Sequence, residues 1–317
     1  MTGKGGTGKT SVAAALALAL AADGRTTLLC EVEGRQGIAQ VFDTAPLPHS
    51  ETQIASAPGG GRVFAVAVEP KEALRDYLQL FYRLGPAMGM LDRVGAVDFV
   101  TTIAPGLRDV LLTGKVYEAT GARRKGRQRY DAVVVDAVPT GRVGHFLNVN
   151  AEVSGLARVG PVHKQAESIM RLLKSDTTAV HMVTLLEEMP VQESIDAIAE
   201  LRGLGLQIGA VAVNRVRSSP LSKTDLRAAA NGKMDADLIS QGLTDARLDH
   251  RSHPVGPTAV ALIDEAAELA ERIELQRSQR KRLEGTGQPL IDLPEVRSPG
   301  TVAALHELAE TIRKGLR

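Results

Sequence analysis

Met1-Thr2-Gly3-Lys4-Gly5-Gly6-Thr7-Gly8-Lys9-Thr10-Ser11, followed by eleven apolar residues at 12–22 (VAAALALALAA), decides the fold. Gly3, Gly8, Lys9 and Thr10 satisfy the spacing G-x-x-x-x-G-K-[ST] of a phosphate-binding loop. Glycines such as Gly3, Gly5, Gly6 and Gly8 let successive backbone N–H groups curl around phosphate oxygens. In such a loop the lysine neutralises the β and γ phosphates, and the hydroxyl of Thr10 is a ligand for Mg2+. The apolar run reads as the helix that turns its positive end toward the anion. Lys4 and Lys9 before that run also give it the outline of a secretory signal peptide. The glycine spacing argues against that reading, and eleven residues are too few to span a bilayer.

Outward from the loop, strand and helix alternate. Residues 25–32 (RTTLLCEV), 62–68, 130–136 (YDAVVVD), 179–186, 208–214 and 289–293 read as strands. Residues 62–68 alternate, whereas the continuous apolar runs of 130–136, 179–186 and 208–214 are those of strands covered on both faces. Helices are expected at 71–84, 106–119, 151–174, 192–203, 258–283 and 301–316. The order predicts an α/β fold of the P-loop NTPase kind: a mostly parallel, doubly wound sheet with helices on both faces. Residues 1–317 are expected to form a single domain, with helical insertions at about 70–120 and 142–176. A phosphate loop ordinarily follows a buried strand. Only Met1 and Thr2 precede Gly3, so the expectation is that this first strand is missing from the chain. Asp136 ends an apolar strand, where a carboxylate holds Mg2+ directly or through water. Pro139-Thr140-Gly141 follows as a turn whose backbone can sense a γ-phosphate.

Composition excludes several classes. Apolar residues at 44% and charged residues at 24% rule out whole-chain disorder or coiled coil. Lys+Arg 38 against Asp+Glu 37 leaves +1, so no global field draws the chain to nucleic acid or membrane. Aromatics are 3% and tryptophan is absent, which leaves little for a base-stacking surface. No nucleic-acid partner is expected. The single cysteine, Cys30, excludes an intramolecular disulfide and any site built from several thiolates of one chain. A reducing, cytoplasmic setting is expected.

Together the motifs carry a resemblance. Lys4 inside the loop gives Gly-Lys-Gly-Gly-Thr-Gly-Lys-Thr, which resembles the deviant Walker A of one group of dimeric NTPases. With Asp-Ala-Val-Pro-Thr-Gly at 136–141 and a strand ending in Asn214-Arg215, nearly the whole chain resembles the arsenite-pump ATPases and their relatives that target tail-anchored membrane proteins. The resemblance is to an actinobacterial branch of paired paralogues. It implies ATP bound by Gly3, Gly5, Gly6, Thr7, Gly8, Lys9, Thr10 and Ser11, and Mg2+ held by Thr10, Glu33 and Asp136. It implies that Lys4 reaches the nucleotide of a second subunit, a cation supplied in trans to charge that develops during phosphoryl transfer. Lys4, Lys9, Gln40 and Asp136 are the residues implied for catalysis. Pro139 lies in the switch, Asn214 contacts adenine, and Leu293-Pro294-Glu295-Val296 resembles the segment that closes over the base. Thr-Ile-Ala-Pro-Gly at 102–106 resembles the opening of the helix after the first insertion.

Three departures bear on function. The family's first switch has an Asp, and a second Asp seven residues later that positions the attacking water. Here the stretch 33–40 (EGRQGIAQ) keeps an acid at Glu33 but carries Gln40 at the second place. An amide orients water without acting as a base, so slow or partner-dependent hydrolysis is expected. The zinc clasp of the tail-anchor targeting factors needs Cys-x-x-Cys on each chain, so no zinc clasp is expected. Arsenite recognition uses several thiols, so arsenite pumping is not expected of a chain with one.

The functional expectation is an ATP-binding and ATP-hydrolysing dimeric switch, as a homodimer or a heterodimer with a related ATPase, handling an apolar or membrane-associated client. The alternatives are a weakly hydrolysing or non-hydrolysing regulatory subunit, and a small-molecule phosphotransferase or ligase on the same loop. Tyr77, Phe81, Tyr82 and Phe99, with Met88 and Met90, gather in the first insertion, where an ordinary helical core is favoured over a client groove. The run 123–129 (RRKGRQR) reads as a solvated loop. Leu305, Leu308, Ile312 and Leu316 give the last helix one apolar face, favouring a packing helix over one lying at the membrane periphery.

Overall fold

The structure, a computed structural model, describes residues 1–82, 105–124, 126–156, 161–248, 254–296 and 301–315. In chain order it runs α1 (Lys9–Ala21), β1 (Thr26–Glu31), α2 (Gly37–Val41), β2 (Thr52–Ala57), β3 (Gly61–Ala67), α3 (Pro70–Tyr82) and α4 (Pro105–Gly121). The short strands β4 (Arg123–Arg124) and β5 (Arg127–Gln128) precede β6 (Ala132–Asp136), α5 (Thr140–Leu156), α6 (Pro161–Leu173), β7 (Val180–Thr184) and α7 (Glu188–Gly203). The remainder is β8 (Ile208–Val216), α8 (Lys223–Ala230), α9 (Ala236–Asp245), α10 (Val255–Glu284), β9 (Leu290–Pro294) and α11 (Val302–Gly315).

Two sheets carry the fold, in the orders β2-β3-β1-β6 and β7-β8-β9. Their pairings are parallel except that of β2, which runs antiparallel to β3 at the edge. Met1 and Thr2 lie between the two sheets. The Met1 amino group donates to Val135 O and Ala137 N donates to Met1 O, while Thr2 exchanges backbone bonds with His181 and Val183. The phosphate loop is thereby hung from both sheets at their shared end.

Alternation along the strands divides the core by face. Leu29, Val63, Ala65 and Val134 pack with α1 and with Leu305, Leu308 and Ile312 of α11. Leu28, Cys30 and Val66 face the other way, toward Leu112 of α4, Phe146 of α5, Ile198 and Leu201 of α7, and Leu283 at the end of α10. All six residues of β1 are buried, as a strand covered on both faces requires. The C-terminal helix is thus a packing helix on α1, and its apolar side is committed to the core. Among the described residues no helix is long and apolar enough to cross a membrane.

Several elements differ from expectation. The helix expected over 151–174 corresponds to the end of α5 and to α6, and α5 already begins at Thr140, directly after the Pro139 turn. Between β8 and β9 one helix was expected; the described residues there form three. The Ser222 side chain caps α8 and the Asp235 side chain caps α9, each accepting from backbone N–H groups of the first turn. Leu226 and Ala229 of α8 pack on Ala266 and Ala270 of α10 in a small separate core. The basic run forms the β4–β5 ribbon, and Arg129 after it pairs with Glu51. Phe99, Met88, Met90, Lys125, Leu316 and the 102–104 part of the Thr-Ile-Ala-Pro-Gly stretch lie outside the described residues, as do the side chains of Tyr77, Phe81 and Tyr82.

Candidate active site

The loop owes its shape to positions where a side chain does not fit. Gly8 sits at φ 89°, in the left-handed region, and a Cβ there would lie 2.4 Å from Asn214 Nδ2. At Gly3 a Cβ would lie 2.1 Å from Val183 O. Thr7 is buried and closes the turn, its hydroxyl donating to Lys4 O at 2.8 Å. Helix α1 begins at Lys9, so its free N–H groups open onto the space the loop encloses.

That space is a cavity of about 250 Å³ at the ends of β1 and β6. Gly5, Gly6, Gly8, Lys9, Thr10 and Ser11 line one side, and Glu31, Glu33, Arg35, Gly37, Asp136 and Pro139 the other. Lys9 is buried, and its ammonium donates to Ala137 O at 3.0 Å and to Glu33 Oε2 at 3.4 Å. The Thr10 hydroxyl donates to Asp136 Oδ2 at 2.6 Å. Burial pushes the Asp136 carboxyl above the ordinary carboxylate range, while the Thr10 hydrogen bond and the Lys9 charge pull it back. The other Asp136 oxygen, Oδ1, is buried with no protein partner. A cationic lysine, a hydroxyl and a carboxylate with a free oxygen are a donor set that suits phosphate oxygens and a hard divalent cation.

Residues 1–175 match the anion-transporting ATPase family. The chain belongs to that family. It is an ATPase. Over its whole length it is 49% identical to the ATPase BagA of Mycobacterium tuberculosis, of which it covers 93%. It is 26% identical to the arsenical pump-driving ATPases of Escherichia coli and Acidiphilium multivorum, over 88% and 78% of this chain. Those proteins are longer, and the match spans 51% and 45% of them.

Within this ATPase fold the residues singled out in sequence fall into four groups. Gly5, Gly6, Gly8, Lys9, Thr10, Ser11, Glu33, Asp136 and Pro139 meet at the cavity. Gly3, Thr7 and Asn214 support it from behind: Asn214 Nδ2 donates to Thr7 O at 2.8 Å, and Asn214 Oδ1 accepts from Arg215 N at 3.0 Å. Pro294 ends β9, one residue before Glu295, whose carboxylate is gripped by Arg217 at 2.5 and 2.8 Å. Lys4 and Gln40 lie off the cavity lining. Gln40 is exposed on α2. Lys4 donates to Glu193 Oε1 at 2.5 Å, and Glu193 Oε2 accepts from the Thr140 hydroxyl at 3.0 Å. The Lys4 hydrogen bond holds the Glu193 carboxyl below its usual range.

Sequence reasoning passed over Glu31 and Glu193. Glu31 is an acid at the end of an otherwise apolar buried strand, a signal that was available. Glu193 lies on an ordinary helix and carried none.

Proposed function

We propose that this ATPase binds Mg2+-ATP in the cavity at the ends of β1 and β6 and acts as a nucleotide-gated switch between two subunits. The observation that carries the reading is the convergence of Lys9, Thr10 and Asp136 at the start of α1. Lys9 and the N–H groups of the loop would hold the phosphates, and Thr10 and Asp136, with Glu33 beside Lys9, would hold the cation. Held by Thr10 and Asp136, Mg2+ would supply positive charge that offsets the charge developing in phosphoryl transfer. Asn214, behind the loop, and Pro294, at the end of β9, would face the base.

The contact that supports a two-subunit gate is that of Lys4. Its ammonium is tied within its own chain to Glu193, and through Glu193 to Thr140 at the start of α5. Thr140 N also donates to Gly3 O at 3.4 Å. A change in the Pro139-Thr140 turn on nucleotide binding therefore acts directly on the group that holds Lys4. Freed, Lys4 would serve the nucleotide of a partner, either a second copy or a related ATPase. The exposure of Gln40 favours slow hydrolysis by the lone subunit, and with it a regulatory role in a heterodimer.

An apolar, membrane-associated client in a cytoplasmic setting fits this reading. Leu238 and Leu248, at and after α9, and Val260 and Leu262 on α10 are exposed apolar side chains. The arsenical substrate in the names of the longer relatives does not fit this chain by itself. Its one thiol, Cys30, is buried in β1 and pushed up to about 12 by burial.

Titration calorimetry with ATP and excess Mg2+ tests the site. Lys9→Ala removes the buried cation and should weaken ATP binding by at least about tenfold. Equal affinity in the variant and the parent would remove the phosphates from this cavity.

A further inference from the structure

Two carboxylates stand side by side at the floor of the cavity. Glu31 and Asp136 are register partners on the adjacent parallel strands β1 and β6. Glu31 is 2% exposed and Asp136 is 7% exposed. Each has one oxygen engaged and one free. Glu31 Oε2 accepts from Ile38 N at 3.0 Å, as Asp136 Oδ2 accepts from Thr10. Glu31 Oε1 and Asp136 Oδ1 are both buried with no protein partner. Both residues line the same cavity.

A buried acceptor left unpaired costs about 1–3 kcal/mol, and more where charged. Two such acceptors on neighbouring carboxylates also repel each other. The Lys9 charge offsets part of this repulsion at Asp136, but its hydrogen bonds go to Ala137 O and Glu33, so neither free oxygen gains a donor from it. A cation with its hydration shell satisfies both oxygens at once: its waters donate to the free lone pairs and its charge offsets the repulsion. Mg2+ keeps several of its waters when bound and takes few protein ligands.

We propose that Glu31 is a positioning residue for hydrated Mg2+, its free oxygen holding a water of the ion beside Asp136 while its second oxygen holds α2 at Ile38. The proposal rests on the reading that this cavity takes Mg2+-ATP. It gives the cation a mechanical line to the first switch, because the carboxylate that senses the water shell also anchors the first turn of α2. It also supplies a buried carboxylate on the cation side, whereas position 40 carries only an exposed amide.

The test compares ATP affinity by titration calorimetry with excess Mg2+ and with EDTA, the ratio being the gain due to the cation. Glu31→Gln keeps the side-chain shape and an oxygen for Ile38 N but removes the charge. The gain should fall about tenfold, the worth of a charge-assisted hydrogen bond. Affinity in EDTA should stay level or improve, since a negative charge beside the phosphates is gone. A gain equal to the parent's overturns the proposal, and so does an equal loss with and without Mg2+, which marks a purely structural residue. If the parent itself shows no gain, the Mg2+-ATP reading of the cavity fails first, and this inference with it. Should Glu31→Gln not fold, Glu31→Asp decides: a carboxylate drawn back by one methylene should reduce the gain, and an unchanged gain overturns the proposal.

Discussion

The two sides of the phosphate loop are built on opposite principles. Toward β1 and β6, polar atoms are left over: Glu31 Oε1 and Asp136 Oδ1 are buried without partners. Toward β8 and β9, polar groups are paired within the protein. Asn214 uses both ends of its amide on backbone groups, and Arg217 grips Glu295 with two hydrogen bonds. Unpaired buried acceptors are costly, and under the proposed reading a hydrated cation would relieve them. The second side is already satisfied and acts as a brace that keeps the loop in shape.

The largest effect should come from joining the two sides by force. Gly8→Ala places a Cβ at 2.4 Å from Asn214 Nδ2 and a side chain at φ 89°. We expect a loss of about 2 kcal/mol in urea unfolding, with ATP binding weakened by more than about tenfold. A stable variant with full affinity would show that the brace does not set the loop.

Asn214→Ala sharpens the contrast, because it removes the brace without adding bulk. ATP affinity should fall about tenfold and inorganic tripolyphosphate affinity about threefold, the excess being contact with the base. Equal losses would make Asn214 a strut alone. A loss confined to ATP would make it a reader of the base alone and would break the contrast between the two sides.

The smallest effect concerns Lys4. Glu193→Gln weakens the tie that holds Lys4 in its own chain, a half-exposed ion pair worth about 0.5–1 kcal/mol. ATP-dependent self-association, followed by analytical ultracentrifugation, should tighten about two- to fivefold. Unchanged association would mean that the tie does not compete with an interface.

The phosphate side was more legible in sequence than the brace. The glycine-lysine loop, the apolar strand closing in Asp136 and the Pro139 turn were all local patterns, and their members meet at the cavity. The parallel strands were legible for the same reason, since burial on both faces writes a continuous apolar run. Strand β2 was missed because it lies at the antiparallel edge, where TQIASA is half exposed and mixed in character. Helices α8 and α9 were missed although Ser222 and Asp235 announce them as caps. Each is short: α8 buries only Leu226 and Ala229, against α10, and α9 has no buried residue.

By itself the sequence determined the loop, the class of fold and the chemistry that the loop serves. Those depend on residue types at fixed short spacings, and backbone geometry converts such spacings into shape without outside help. Only the tertiary structure decided which acids share the cavity, that Asn214 stands behind Gly8, and that Lys4 is held by Glu193. Glu31 and Asp136 are 105 residues apart in hydrogen-bonded strands whose register alone brings them side by side. Whether a carboxylate there is satisfied or left with a free oxygen depends on every neighbour that reaches it. That is a property of packing, and no local pattern records it.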